Sequence, residues 1–290
     1  MEPTSHYIQV RDFFMHYSDW GDNGPALVLL HGIQRGGRSW DPVARRLADR
    51  FHVIVPDGRG HGDSEWTWRG YKTEDRKLDF LAFVDALGLH NIRVAGHSYG
   101  AMVAVFSALD RPDMFHSLYL QEIIHTMTAE SRKGWVKSEY QRKRYWASRT
   151  ALDEYLHWHR DTQKWPEEVI QTVLQHEVLQ HPNGQVESKW APQTFNEEEG
   201  LTDFYSLPPL FHKLAMPTAL LMAGSRKPEE LATLRAEMLK APRGQFSVIE
   251  GAGHNVYLDF PEFTARTILE FLDGRPFPER VAAQPVAPGA

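Results

Sequence analysis

The stretch Ile92-Arg93-Val94-Ala95-Gly96-His97-Ser98-Tyr99-Gly100-Ala101-Met102 constrains this chain more than any other, because it sets a Gly-x-Ser-x-Gly pentapeptide between a β-type run and a helical one. A serine forced onto so sharp a strand-to-helix turn needs small neighbours on both sides, and Gly96 and Gly100 supply them. Such a turn lifts the Ser98 hydroxyl clear of a sheet and aims a helix N-terminus at any oxyanion formed there. Ser98 is therefore the candidate nucleophile.

The surroundings repeat the same rhythm. Apolar or extended runs at 7–10, 13–17, 26–30, 52–56, 92–95, 118–121, 217–223 and 246–249 read as strands. Helical patterns at 40–50, 72–87, 98–109, 229–239 and 262–272 alternate with them. This predicts an α/β fold with a mostly parallel eight-stranded sheet flanked by helices. The alternation breaks between residues 123 and 206, where Trp, Tyr, Glu and Gln recur at helical spacing, so this part reads as an inserted helical cap. The expected division is a core of 1–122 and 207–274, a cap of 123–206 and a flexible Pro- and Ala-rich tail of 275–290.

Composition narrows the function. With 38 acidic against 32 basic side chains the surface is mildly negative, which argues against nucleic acid as the main partner. The absence of cysteine removes disulfides, thiolate nucleophiles and cysteine-zinc sites together. No run of eighteen apolar residues occurs, and the first residues lack a basic region followed by an apolar stretch. The expectation is a cytoplasmic protein with a small-molecule substrate and no membrane or nucleic-acid partner; its oligomeric state stays open.

A serine hydroxyl needs a base to take its proton. Of the fifteen histidines, His254 lies in the glycine-rich loop Gly251-Ala252-Gly253-His254-Asn255, directly after the last strand and before the final helix. In a parallel sheet that loop opens at the carboxyl edge of the strands, where Ser98 also lies. A third group, a carboxylate, should hold the imidazole tautomer. Leu30-His31-Gly32, Asp57-Gly58-Arg59-Gly60-His61-Gly62-Asp63-Ser64, Gly96-His97-Ser98-Tyr99-Gly100 and Gly251-Ala252-Gly253-His254 occur in the order seen in α/β-hydrolases, and the chain resembles that family over nearly its whole length.

One departure stands out. Most members of the family carry the acid in a Gly-x-x-Asp pattern after the strand that follows the cap, but here the residues are Gly224-Ser225-Arg226-Lys227-Pro228-Glu229, with Lys227 where the aspartate is expected. A minority, including haloalkane dehalogenases with a glutamate, quinolone dioxygenases and (E)-2-(acetamidomethylene)succinate hydrolases, places the acid after the strand that precedes the cap. That position is Glu122, a carboxylate ending the strand Leu118-Tyr119-Leu120-Gln121, where burial is costly without a partner. Glu229 and Glu230 are the alternatives.

The resemblance further implies an oxyanion hole from the backbone N–H groups of Ile33 and Tyr99. Gln34, Arg35 and Trp146 are candidate substrate contacts, and the basic run Arg132, Lys133, Lys137, Arg142, Lys143, Arg144 and Arg149 could attract an anion, although a solvated helix face explains it as well. His157 and His159, two apart, point to different sides of a helix and do not suggest a metal pair. The expectation is a serine hydrolase that cleaves an ester, amide or related acyl bond through an acyl-enzyme, with neither cofactor nor metal. The rival readings are a cofactor-independent oxygenase of the quinolone-dioxygenase type and a ligand receptor with vestigial hydrolysis.

Overall fold

The structure is a computed structural model that describes residues 2–131, 133–134, 143–195 and 205–283. The chain runs β1 (Thr4–Val10), β2 (Phe13–Asp19), β3 (Ala26–Leu30), α1 (Asp41–Leu47), β4 (His52–Pro56), α2 (Thr73–Ala86), β5 (Ile92–His97), α3 (Tyr99–Asp110) and β6 (Phe115–Gln121). An insert follows, with β7 (Thr126–Met127), β8 (Tyr145–Trp146), α4 (Arg149–Trp158), α5 (Glu167–His176), β9 (Val178–Gln180), β10 (Val186–Ser188) and β11 (Tyr205–Ser206). The chain closes with β12 (Thr218–Ala223), α6 (Pro228–Met238), β13 (Gly244–Glu250), α7 (Val256–Asp259), α8 (Pro261–Leu272) and β14 (Arg280–Ala282).

The main sheet has the order β1-β2-β4-β3-β5-β6-β12-β13-β14. Only the β1–β2 and β2–β4 pairings in it are antiparallel. The central strands are apolar on both faces because helices cover both. Leu27, Leu29, Val53, Val55, Ala219 and Leu221 pack with Val43 and Leu47 of α1 and Phe263 and Ile268 of α8. Their neighbours Val28, Leu30, Ile54, Val94, Leu220 and Met222 alternate to the other face, against Phe80 and Val84 of α2 and Leu231 and Leu234 of α6. Polar Tyr119 and Gln121 of β6 are accommodated by each other and by α8: Gln121 Nε2 donates to the Tyr119 hydroxyl at 2.9 Å, which lies 2.6 Å from Thr267 Oγ1.

Two expectations change. The sheet gains a ninth strand, β14, from the segment read as a flexible tail. The open edge of β13 is paired there, with Val248 N–H donating to Glu279 O at 2.9 Å, and Phe277 packs on Phe271 and Tyr119. Apolar contacts and a free strand edge outweigh the flexibility that Pro276 and Pro278 suggested; residues 284–290 of the expected tail lie outside the described residues. The insert also contains short strands, which the helical reading did not include. It holds α4, α5 and the small antiparallel sheet β8-β10-β9, while β11 pairs with β7. Helices α4 and α5 are amphipathic, burying Leu152 and Leu156 on α4 and Val169, Ile170, Val173 and Leu174 on α5. No helix among the described residues is long and apolar enough to cross a membrane.

Candidate active site

The sharpest turn in the sheet is at the end of β5. Ser98 adopts φ 53° and ψ −112°, a conformation that a residue with a Cβ rarely holds, and α3 starts immediately after it. The glycines on either side allow the crossing. A Cβ on Gly96 would lie 2.7 Å from Ala101 Cα, and one on Gly100 would lie 2.4 Å from the Leu30 carbonyl oxygen. Glu122 and Gln34 also carry left-handed φ values, 49° and 65°, so backbone strain gathers around one spot.

Ser98 Oγ lies 3.0 Å from His254 Nε2, and His254 Nδ1 lies 2.9 Å from Glu122 Oε2. The three groups come from three different strand ends, β5, β13 and β6, made adjacent by the sheet order. An ionised carboxylate can only accept, so the imidazole carries its proton on Nδ1 and offers the Nε2 lone pair to the serine hydroxyl. Burial pushes the Glu122 carboxyl up, but hydrogen bonds from His254 and Arg226 and the charge of both outweigh it and bring the carboxyl down to about 2. Glu122 is thus ionised across the neutral range.

His97 steadies the arrangement from below. Burial lowers its pKa to about 3, so the ring is neutral, and its Nε2–H donates to the His254 carbonyl oxygen at 2.7 Å. The ring also packs against those of His254 and Tyr257. Nothing in the pentapeptide pattern pointed to this contact, which joins residues 157 apart.

The alternative acids are placed elsewhere. Glu229 is exposed on α6, and Glu230 Oε1 meets Arg226 Nη1 at 2.6 Å and His125 Nε2 at 3.0 Å rather than His254. Arg226 was overlooked as a functional residue, although an arginine beside the missing aspartate was a signal. Its guanidinium grips both oxygens of Glu122.

Ile33 lines the cavity above Ser98, and among the described residues its N–H meets no acceptor. Tyr99 is the first residue of α3, where N–H groups lack intrahelical partners, while its ring turns away beneath the sheet edge to lie 4.5 Å from the Arg76 guanidinium. Gln34 and Trp146 both line the cavity, and Gln34 Nε2 and Trp146 Nε1 are buried without a hydrogen-bond partner among the described residues. Arg35 is engaged by the protein as well. It lines the same space, but Nη1 donates to Glu177 Oε2 at 2.8 Å and the guanidinium lies over Trp165, so its charge is already matched.

The cavity measures about 1000 Å³. Ser98, His254 and Gln34 form its polar floor, and Met127, Trp146, Leu152, Leu156 and Val173 of the insert form an apolar wall. From the basic run, Lys143 reaches the cavity over the Trp146 and Tyr155 rings, and Arg144 is bound to Glu187; Arg132, Lys137 and Arg142 lie outside the described residues. His16, Asp57 and Asp63 bring ligand-type atoms together on the far side of the loop after β4. The Asp57 carboxylate is already occupied there by His16 Nδ1 and the N–H groups of Gly37 and Asp63, which makes it a clamp between loops.

A doubly covered parallel sheet with a serine on a strained turn after its middle strand defines the α/β-hydrolase class of fold. The chain belongs to the alpha/beta hydrolase family, whose profile matches residues 27–267, and it is an enzyme of that family. It is 24% identical over 251 residues to 2-(acetamidomethylene)succinate hydrolase of Mesorhizobium japonicum, a match covering 87% of this chain and 89% of that enzyme. Soluble epoxide hydrolase of Corynebacterium sp. (strain C12) is 37% identical over 123 residues, but the match covers only 42% of this chain and 43% of the relative. The crystal structure of E-2-(acetamidomethylene)succinate hydrolase superposes with a TM-score of 0.79 at 23% identity, over 93% of this chain and 99% of that one, a likeness of fold. These relatives are hydrolases of small organic molecules.

Proposed function

We propose that the chain is a serine hydrolase that cleaves an ester, amide or related acyl bond of a small or medium organic molecule through an acyl-enzyme on Ser98. The observation that carries this reading is the unbroken line Ser98 Oγ, His254 Nε2, His254 Nδ1, Glu122 Oε2, with contacts of 3.0 and 2.9 Å. As Ser98 Oγ attacks the acyl carbon, His254 Nε2 takes the hydroxyl proton, and Glu122 stabilises the imidazolium without taking a proton itself. The negative charge moves to the carbonyl oxygen, where the Ile33 and Tyr99 N–H groups receive it. Collapse expels the leaving group, which picks up the proton from His254; water then repeats the sequence on the acyl-enzyme and restores Ser98.

The insert acts in this reading as a cap whose apolar wall holds the acyl or leaving group and limits access of bulk water. A serine at the turn is suited to acyl transfer, whereas alkyl-ester chemistry on epoxides or haloalkanes calls for a carboxylate there. The geometry favours neither the oxygenase nor the receptor alternative. The test is labelling with a fluorophosphonate together with p-nitrophenyl acetate hydrolysis. Wild-type protein should be labelled at Ser98 and turn over the ester, and folded Ser98→Ala should do neither; undiminished turnover by Ser98→Ala would refute the reading.

A further inference from the structure

The loop after β12 carries Arg226, one residue before Lys227, which stands where the family resemblance leads one to expect an aspartate. Arg226 Nε lies 3.0 Å from Glu122 Oε1 and 3.1 Å from Oε2, and Nη2 lies 2.8 Å from Oε2. The Ala223 N–H donates to Oε1 at 2.6 Å, and His254 Nδ1 contacts Oε2 at 2.9 Å. Both oxygens of a carboxylate that is 2% exposed are therefore fully engaged. The guanidinium is itself anchored: Nη1 donates to Glu230 Oε1 on α6 at 2.6 Å, and that oxygen also meets His125 Nε2 at 3.0 Å. Neutral His97, from β5, also faces the cluster, as does Asp259 of α7, whose carboxyl burial pushes up to about 6 and which feels the charge of His254.

We infer that Arg226 is a positioning residue for the reaction: its fork fixes the Glu122 carboxylate toward His254 and, by sharing Oε2 with the imidazole, limits how strongly that carboxylate holds the imidazolium. The inference rests on the Ser98–His254–Glu122 reading. A glutamate has one more rotatable bond than an aspartate, and a two-point contact removes the freedom that bond would give the acid. The electrostatic half acts separately. The guanidinium and the His254 ring meet at one oxygen, at contacts of 2.8 and 2.9 Å, so when the imidazolium forms Arg226 repels it while attracting the carboxylate between them.

Charge and geometry are separated by two variants. Arg226→Gln removes both, and Arg226→Lys keeps the charge but loses the fork. With p-nitrophenyl acetate, Arg226→Gln should place the acid limb of the kcat/KM profile above that of Arg226→Lys, which shares the lost fork but keeps the charge. Its plateau kcat should fall roughly tenfold with KM nearly unchanged. Arg226→Lys should lose kcat to a similar extent. A merely structural role predicts no such difference, because a carboxylate swung away from His254 would let the imidazole lose its proton more easily in either variant. An acid limb in Arg226→Gln no higher than that of Arg226→Lys overturns the inference, as does parental kcat in Arg226→Lys. Should Arg226→Gln not fold, Arg226→Lys decides the fork alone, by reduced or parental kcat. The His254 ring titration followed by NMR in Ser98→Ala, combined with Arg226→Gln or with Arg226→Lys, reads the same difference without turnover. Failure there is distinguishable from failure of the hydrolase reading, which the Ser98→Ala activity assay tests.

Discussion

Backbone strain at Ser98 can be measured by comparing Ser98→Gly with Ser98→Ala. Both variants lose Oγ and its contact with His254, so their difference isolates the Cβ. Alanine keeps a Cβ at φ 53° and ψ −112°, whereas glycine finds there the mirror image of an ordinary extended conformation. Relief of such strain is worth about 2 kcal/mol. Against it stand about 0.7 kcal/mol for the extra freedom of an unfolded glycine and ~0.8 kcal/mol for a buried methyl group lost at a residue that is nearly inaccessible. Glycine should therefore equal alanine or exceed it by about 0.5 kcal/mol. Ala104, fully buried inside α3 at helical geometry, provides the control. There Ala104→Gly has no strain to release and should cost about 2 kcal/mol, from helix propensity plus the lost methyl. Urea midpoints of the four proteins at one pH and temperature give the comparison. If Ser98→Gly falls below Ser98→Ala by as much as Ala104→Gly falls below wild type, the turn is unstrained and the argument from its geometry fails.

Glu122→Gln should lower kcat by about three to four orders of magnitude, since the amide can no longer hold the Nδ1-protonated imidazole, while KM for a neutral ester changes little; steady-state kinetics on p-nitrophenyl acetate checks it. The same residue makes stability depend on acid. Its folded carboxyl lies at about 2, below the unfolded value, so its contribution is present above about pH 4.3 and is lost as pH falls toward 2. Urea midpoints between pH 5 and 2.5 should fall less steeply for Glu122→Gln than for wild type, and equal slopes would show that the carboxylate is not held as described. Gly100→Ala should prevent native assembly, because its Cβ would press to 2.4 Å from the Leu30 carbonyl, which is backbone and cannot swing aside. Soluble yield and circular dichroism report the outcome, and a normally stable, active Gly100→Ala protein would contradict the packing.

What was legible in the sequence was local. The strands from β3 to β6 announce themselves because a strand covered on both faces has no polar alternation to hide it, and Gly96 and Gly100 bracket the one turn that needs both. His254 sits in a short glycine-rich loop, and Glu122 is the charged end of an apolar strand; each carries its signal within a few residues. Contacts that depend on topology left no such trace. Arg226 meets Glu122 across 104 residues, because β6 and β12 are neighbours in the sheet, and Arg35 is matched by Glu177 across 142. Strands of two or three residues, such as β8, β9, β10 and β14, are too short for a period of two to show. The missing aspartate was visible as an absence, but its physical meaning was not. The aspartate's own place is held by the exposed Lys227, and Arg226 one residue earlier is the group that reaches across to Glu122. The departure after β12 and the acid after β6 are thus two halves of one arrangement, and the Arg226 variants test them together.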